Sequence, residues 1–162
     1  MPRAIFPAPD HDHGCCASTA IAYAEAQCAA HAQRLTPIRR QVLEALLESH
    51  NPLGAYEIIE HLAEKNDGRL APITIYRALD FLRQNGLVHR IESRNAFVAC
   101  GHNHAGDDLV VFLICERCGA VGEDPGAAVA EALKASSRAA GFSPKSPLIE
   151  IVGICSHCRA RS

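Results

Sequence analysis

Apolar and polar positions follow helical spacing in the first half of the chain, and a mixed, strand-rich pattern follows. Residues 17 to 34 are Ala-rich and helix-prone. Thr36-Pro37 then reads as a helix start, with Thr as N-cap and Pro at the first helical position. Ile38, Val42, Leu43 and Leu46 follow at helical spacing until Asn51-Pro52 breaks the pattern. Ile58, Ile59 and Leu62 mark one face of a third helix over residues 55 to 64, which Asn66-Asp67-Gly68 ends. A fourth helix over residues 73 to 84 stops at Asn85-Gly86, a C-terminal glycine signal. Two short strand-like runs, residues 88 to 92 and 96 to 99, flank a polar turn. Short helices followed by a β-hairpin predict a winged helix-turn-helix domain.

The second half changes character. Residues 109 to 114 form a β-rich run, residues 126 to 140 an Ala-rich helix ended by Gly141, and residues 148 to 154 another β run. This βαβ-like unit is bracketed by cysteine pairs and predicts a second, smaller α/β domain. The expectation is an α+β chain: a disordered tail over 1–16, the winged helix over 17–100, a hinge over 101–108, and the α/β domain over 109–162.

Composition narrows the function. Hydrophobic residues make up 48% of the 162, enough for a core. The net charge of −2 means that any nucleic-acid partner must be held by a local patch. No apolar run approaches the roughly 18 residues of a membrane span, so no membrane partner is expected. The opening MPRAIFPAPDHDHG lacks the apolar core of a secretory signal, and a cytoplasmic location is expected. Eight cysteines and nine histidines without an export signal favour metal over disulfides.

Two C-x-x-C pairs stand out, Cys115/Cys118 and Cys155/Cys158. Each knuckle offers two thiolates, and two knuckles complete a tetrahedral four-sulfur zinc site with no open position for chemistry. Residues 119 to 154 separate them, more than usual in a zinc ribbon. The β runs leading into both pairs would bring them together. A redox C-x-x-C is the competing reading.

On the fourth helix Ile75, Ala78, Leu79 and Leu82 share one arc, with Phe81 at its margin, and Tyr76, Arg77, Asp80, Arg83 and Gln84 fill the other. The N-terminal residues of such a helix meet base edges in the major groove, and Arg is the commonest guanine reader. Thr74, Tyr76 and Arg77 are therefore candidates for DNA contact. Arg39, Arg40, Lys65 and Arg69 are candidates for phosphate contact.

Together, Leu35-Thr-Pro-Ile-Arg39, Ala55-Tyr-Glu-Ile-Ile59, Thr74-Ile-Tyr-Arg-Ala-Leu-Asp-Phe-Leu82, Gly86-Leu-Val-His89 and the paired C-x-x-C resemble the ferric uptake regulator family over about residues 28 to 160. Tyr-Arg-Ala-Leu-Asp-Phe-Leu and Phe97-Val-Ala-Cys100 are most similar to its zinc uptake regulator branch. The resemblance implies a homodimer joined through its C-terminal domains. It implies one structural zinc in the knuckles and one regulatory zinc at the hinge per protomer. It also implies metal-dependent binding to A·T-rich palindromic operator DNA, with Tyr56 and Arg77 at base-contacting positions.

The resemblance matches His89, Cys100 and Glu123 to regulatory ligands. At the fourth position, seven residues before the first knuckle cysteine, the family has His and this chain has Asp108. Hairpin geometry agrees: a turn centred near Arg94 sets position 89 opposite 99 and brings His89 beside Cys100. A turn centred near Arg117 sets Glu123 near position 111, close to Asp108. Asp is a competent zinc ligand, and His102 and His104 are the reserve candidates. A cysteine ligand favours zinc over iron or manganese.

His11, His13, Cys15 and Cys16 read as a flexible tail, with an accessory metal site as the other reading. Cys28 reads as a packing residue, His31, His50 and His61 as helix-surface residues, and His157 as a turn residue. The resulting expectation is a zinc-responsive repressor, neither an enzyme nor a binder of a small-molecule substrate. The alternatives are a relative that senses iron, manganese or peroxide, and a zinc chaperone or storage protein. An enzyme would need an open metal position with a positioned acid or base, and no H-x-E motif is present.

Overall fold

A computed structural model of the chain describes residues 5–6, 13–48, 50–66, 68, 70–101, 109–145 and 148–161. Its contacts divide into two units, Ala8–Gly101 and His102–Ser162, the latter joined by Met1–Pro7. No helix among the described residues is long and apolar enough to cross a membrane.

The first unit runs α1 (His13–Ala30), α2 (Pro37–Leu47), α3 (Ala55–Lys65), α4 (Pro72–Gln84), then a hairpin of β1 (Val88–Ile91) and β2 (Ala96–Ala99). The apolar positions read from the sequence are those that pack: Val42, Leu43 and Leu46 of α2, Ile58 and Leu62 of α3, and Ile75, Leu79 and Leu82 of α4 are all buried. Ile21, Ala24 and Cys28 add one face of α1 to this core. Burial pushes the Cys28 thiol pKa up, which suits a packing role.

Two boundary expectations are corrected. Helix α1 begins at His13, so residues 13 to 16 are helical rather than part of a disordered tail. Gly14 falls in the first turn, where it does not interrupt a helix. The same helix ends at Ala30 instead of running to 34. Ala32 takes a left-handed φ of 53°, and the Gln33 amide donates to the Cys28 carbonyl at 2.8 Å. That closure commonly uses glycine, so nothing in the sequence marked it. By contrast, α4 stops where Asn85-Gly86 predicted. Gly86 has a φ of +66°, and the Leu87 amide donates to the Leu82 carbonyl at 2.9 Å.

The hairpin register also differs by one residue. His89 lies opposite Val98, not position 99, because the chain turns through a 3-10 turn at Glu92–Arg94 plus Asn95 and closes between Ile91 and Ala96. A one-residue slip in a strand pair exchanges faces. In the observed register Cys100 falls opposite Leu87, and its amide donates to the Leu87 carbonyl at 2.9 Å. His89 and Cys100 therefore share one face, whereas the expected register would have put them on opposite faces. Leu53 and Phe97 form a further antiparallel bridge near the turn end of the hairpin.

The second unit runs β3 (Val110–Cys115), β4 (Val121–Asp124), α5 (Ala127–Ala139), β5 (Leu148–Gly153) and α6 (Ser156–Arg159). The sheet order is β4-β3-β5, with β3 antiparallel to β4 and parallel to β5. The central strand is buried along most of its length, which explains its unbroken run of apolar residues. Glu123 lies opposite Phe112 rather than position 111, again one residue from expectation. Gly126 enters α5 with a φ of +63°, where a side chain would press on Leu109. Edge strand β5 leaves Leu148, Ile151 and Val152 exposed, and Ile154 just beyond it.

Candidate metal and nucleic-acid sites

Strand β3 ends at Cys115, and parallel β5 ends at Gly153, its register partner. The Glu116 amide donates to the Gly153 carbonyl at 2.9 Å, so both chains leave the same end of the sheet together. Each then enters a knuckle. In the first, Gly119 takes a φ of +79° and its amide donates to the Cys115 carbonyl at 3.0 Å. In the second, the single turn of α6 aims the Cys158 amide at the Cys155 sulfur, 3.4 Å away. Arg117 of the first knuckle donates to the Cys158 carbonyl of the second at 3.2 Å.

This brings the sulfurs of Cys115, Cys118, Cys155 and Cys158 within 4.8 Å of one another. Cys118 and Cys155 Sγ are 3.8 Å apart. A tetrahedral zinc with Zn–S bonds of about 2.3 Å places its sulfurs about 3.8 Å from each other. The electrostatics point the same way. Amides of Cys155 and Cys118 bring the Cys115 thiol pKa down to about 6. Burial, then the neighbouring thiols, push Cys158 up to about 12. Four adjacent thiols cannot all ionise by themselves, and a dication resolves that conflict. The donor set fits zinc, and it is the one foreseen from the two C-x-x-C pairs.

The regulatory candidates divide between the units. In the first, His89 of β1 and Cys100 just after β2 bring a ring nitrogen and a sulfur within 4.8 Å. In the second, Glu123 of β4 is a buried acidic residue. Asp108, His102 and His104 lie outside the described residues, as do His11 and the side chains of His13, Cys15 and Cys16.

For nucleic acid, α4 turns Tyr76 and Arg77 outward from its N-terminal half, with Thr74 half-buried. Tyr56, in the first turn of α3, is 68% exposed. Sequence reasoning missed Ile73, 58% exposed at the start of α4. The signal was its place off the apolar arc that Ile75 and Leu79 define.

The phosphate candidates are engaged within their own unit. Arg39 lies 3.5 Å over the Phe81 ring and donates to the Arg34 carbonyl. Arg40 pairs with Glu25 and Glu44, and Lys65 with Glu48. Surface pairs of this kind are weak enough to exchange partners, but these cations have closer work than a lone basic residue. Arg69 lies outside the described residues.

The chain is similar to known proteins over most of its length. The profile of the ferric uptake regulator family matches residues 30–152. The zinc uptake regulation protein of Escherichia coli (strain K12) is 36% identical over 138 residues, 85% of this chain and 80% of that protein. A zinc uptake regulator solved in complex with zinc and DNA superposes with a TM-score of 0.81 at 33% identity, over 90% of this chain and 96% of that one. The crystal structure of holo XcZur gives a TM-score of 0.78 at 41% identity, over 89% and 99%.

Proposed function

The chain belongs to the ferric uptake regulator family, and from that premise we propose that it is a zinc-responsive transcriptional repressor. It acts as a homodimer on palindromic operator DNA and has no enzymatic activity. The observation that carries the zinc-sensing part is the imidazole and thiol of His89 and Cys100, brought together on the wing and separate from the four-cysteine cluster. A thiol–imidazole pair selects a borderline-soft ion such as zinc over iron or manganese.

Two zinc ions per protomer have separate tasks. Cys115, Cys118, Cys155 and Cys158 hold the first, which fastens β3 and β5 at one end of the sheet. His89, Cys100, Asp108 and Glu123 hold the second. When bound there, zinc supplies a dication that lets a thiolate and two carboxylates lie side by side. His89 and Cys100 belong to the DNA-binding unit, and Asp108 and Glu123 to the other. Holding all four therefore favours one pre-existing arrangement of the two DNA-binding units in the dimer. Half-site spacing then selects that arrangement on the operator. Arg77 and Tyr56 reach bases, and Tyr76 and Thr74 support them.

Homodimerisation is supported by β5. Among the described residues no second strand flanks β5 in the sheet, and Leu148, Ile151 and Val152 are exposed on it. An apolar open edge of this kind is a pairing surface.

Zinc stoichiometry tests the ligand assignment. The wild type is expected to hold two zinc ions per protomer, Asp108→Ala one, and His104→Ala two, with operator binding lost only in Asp108→Ala. Two ions in Asp108→Ala and one in His104→Ala would transfer the role to His104.

A further inference from the structure

The tail expected to be disordered contains two bulky apolar residues side by side, Ile5-Phe6. That pair belongs with the second unit, while the chain from Ala8 to Gly101 forms the first. A side chain on Gly122 of β4 would meet Ile5 Cγ2 at 2.5 Å, the Ile5 carbonyl oxygen at 3.2 Å and the Phe6 ring at 3.3 Å. Gly122 is thus the bare spot on the sheet that the pair covers. On its other side the pair is held by the second cysteine knuckle. His157, between Cys155 and Cys158, donates from Nε2 to the Phe6 carbonyl at 3.2 Å. The sequence reading of His157 as a turn residue leaves out this contact.

We propose that Ile5-Phe6 is a strap that docks on β4 and the second knuckle, and that its docking depends on metal in the four-cysteine site. The dependence follows from His157. Its ring is aimed by the single turn of α6, and that turn is organised by the two cysteines that flank it. Losing the ion frees the turn and takes the hydrogen bond with it. The consequence is topological. A docked strap anchors the first unit to the second at both its ends, before Ala8 and after Gly101, and closing a chain at two points removes conformational freedom. Strap docking therefore narrows the arrangements open to the DNA-binding unit, and the structural ion acquires an influence on operator affinity. This last step rests on the proposed repressor function.

The chain has no tryptophan, so Phe6→Trp gives a single fluorescent reporter in the full-length zinc-loaded protein. The expected result is a blue-shifted emission, quenched by acrylamide severalfold more slowly than a free indole. Adding Gly122→Val, which keeps a strand-forming residue in β4, should restore fast quenching with zinc content and circular dichroism unchanged. Adding His157→Ala should do the same in part. In otherwise wild-type protein, Ile5→Asp should weaken operator binding severalfold with both zinc ions retained. An indole that is freely quenched in the zinc-loaded chain, or that stays protected beside Gly122→Val, would overturn the docking. Unchanged operator affinity in Ile5→Asp would overturn the restraint. Wild-type protein that ignores operator DNA altogether would count against the repressor reading, not the strap, which fluorescence reads without DNA.

Discussion

The two units bury their apolar residues in opposite ways. In the first, α2, α3 and α4 close around Leu43, Leu46, Ile58, Leu62, Ile75, Leu79 and Leu82, and α1 and the hairpin add Ile21, Ala24, Cys28, Val88 and Phe97 to the same core. In the second, β3 is buried, but α5 has no buried residue and β5 exposes Leu148, Ile151 and Val152. A unit of that size with so many exposed apolar residues gains from a metal or a partner. The four-cysteine cluster could hold the one, and the apolar residues exposed on β5 are the surface proposed for the other. The first unit thus has a core of its own, and the second leaves apolar surface where the proposed zinc and the proposed second copy would act.

The sharpest way to break this contrast is to remove the four-cysteine metal. Structural zinc sites contribute on the order of 10 kcal/mol to folding. Cys155→Ser is therefore expected to unfold the second unit and abolish the dimer. The first unit should keep its helical circular dichroism and its own thermal transition. Sedimentation and calorimetry check this, and joint loss of both units would refute the independence.

Next in size is the opposite lesion. Leu79 is 1% exposed in the first core, and a Leu→Ala change at such a site costs about 2–5 kcal/mol. Leu79→Ala should lower the first unit's transition in urea while leaving zinc content and dimerisation unchanged. Smaller again is Arg77→Ala, which should weaken operator binding by about 1–3 kcal/mol and relax base preference at one position. A gel-shift series read together with metal analysis would show zinc loading unaffected.

The smallest effect concerns the surface of the first unit. The Lys65 ammonium, followed by His61, holds the Glu48 carboxyl pKa below its ordinary value. A carboxylate whose folded pKa is depressed stabilises above its unfolded pKa, and that contribution fades as pH falls through the folded value. Glu48→Gln should cost less than about 1 kcal/mol at neutral pH, because the pair is half-exposed. The deficit should vanish in acid.

What the sequence made legible followed the same division. Helical periodicity located α2, α3 and α4 because their apolar arcs face a core made by those same helices. The cysteine spacing pointed to the four-cysteine cluster because parallel β3 and β5 carry both knuckles to the same end of the sheet. The residues that escaped are those whose place is set by geometry outside the local pattern. The end of α1 depends on a left-handed alanine, Ala32. The wing register depends on how many residues the turn at Glu92–Asn95 consumes, and a single residue decides whether His89 and Cys100 share a face. The use of Arg40 and Lys65 as intramolecular partners depends on acidic residues 15 and 17 positions away in sequence. The docking of Ile5-Phe6 depends on an absent side chain at Gly122, which no pattern in the tail announces.

The central claim is that a second zinc, distinct from the four-cysteine ion, switches DNA binding. It is tested most directly with duplexes selected from random sequence by the zinc-loaded protein. Their affinity is then measured for protein holding one zinc per protomer and for protein holding two. The account predicts a weakly binding dimer with only the four-cysteine ion in place, and an affinity at least tenfold higher once the second ion enters, a coupling of about 1.4 kcal/mol or more. Equal affinities for the one-zinc and two-zinc forms would contradict it.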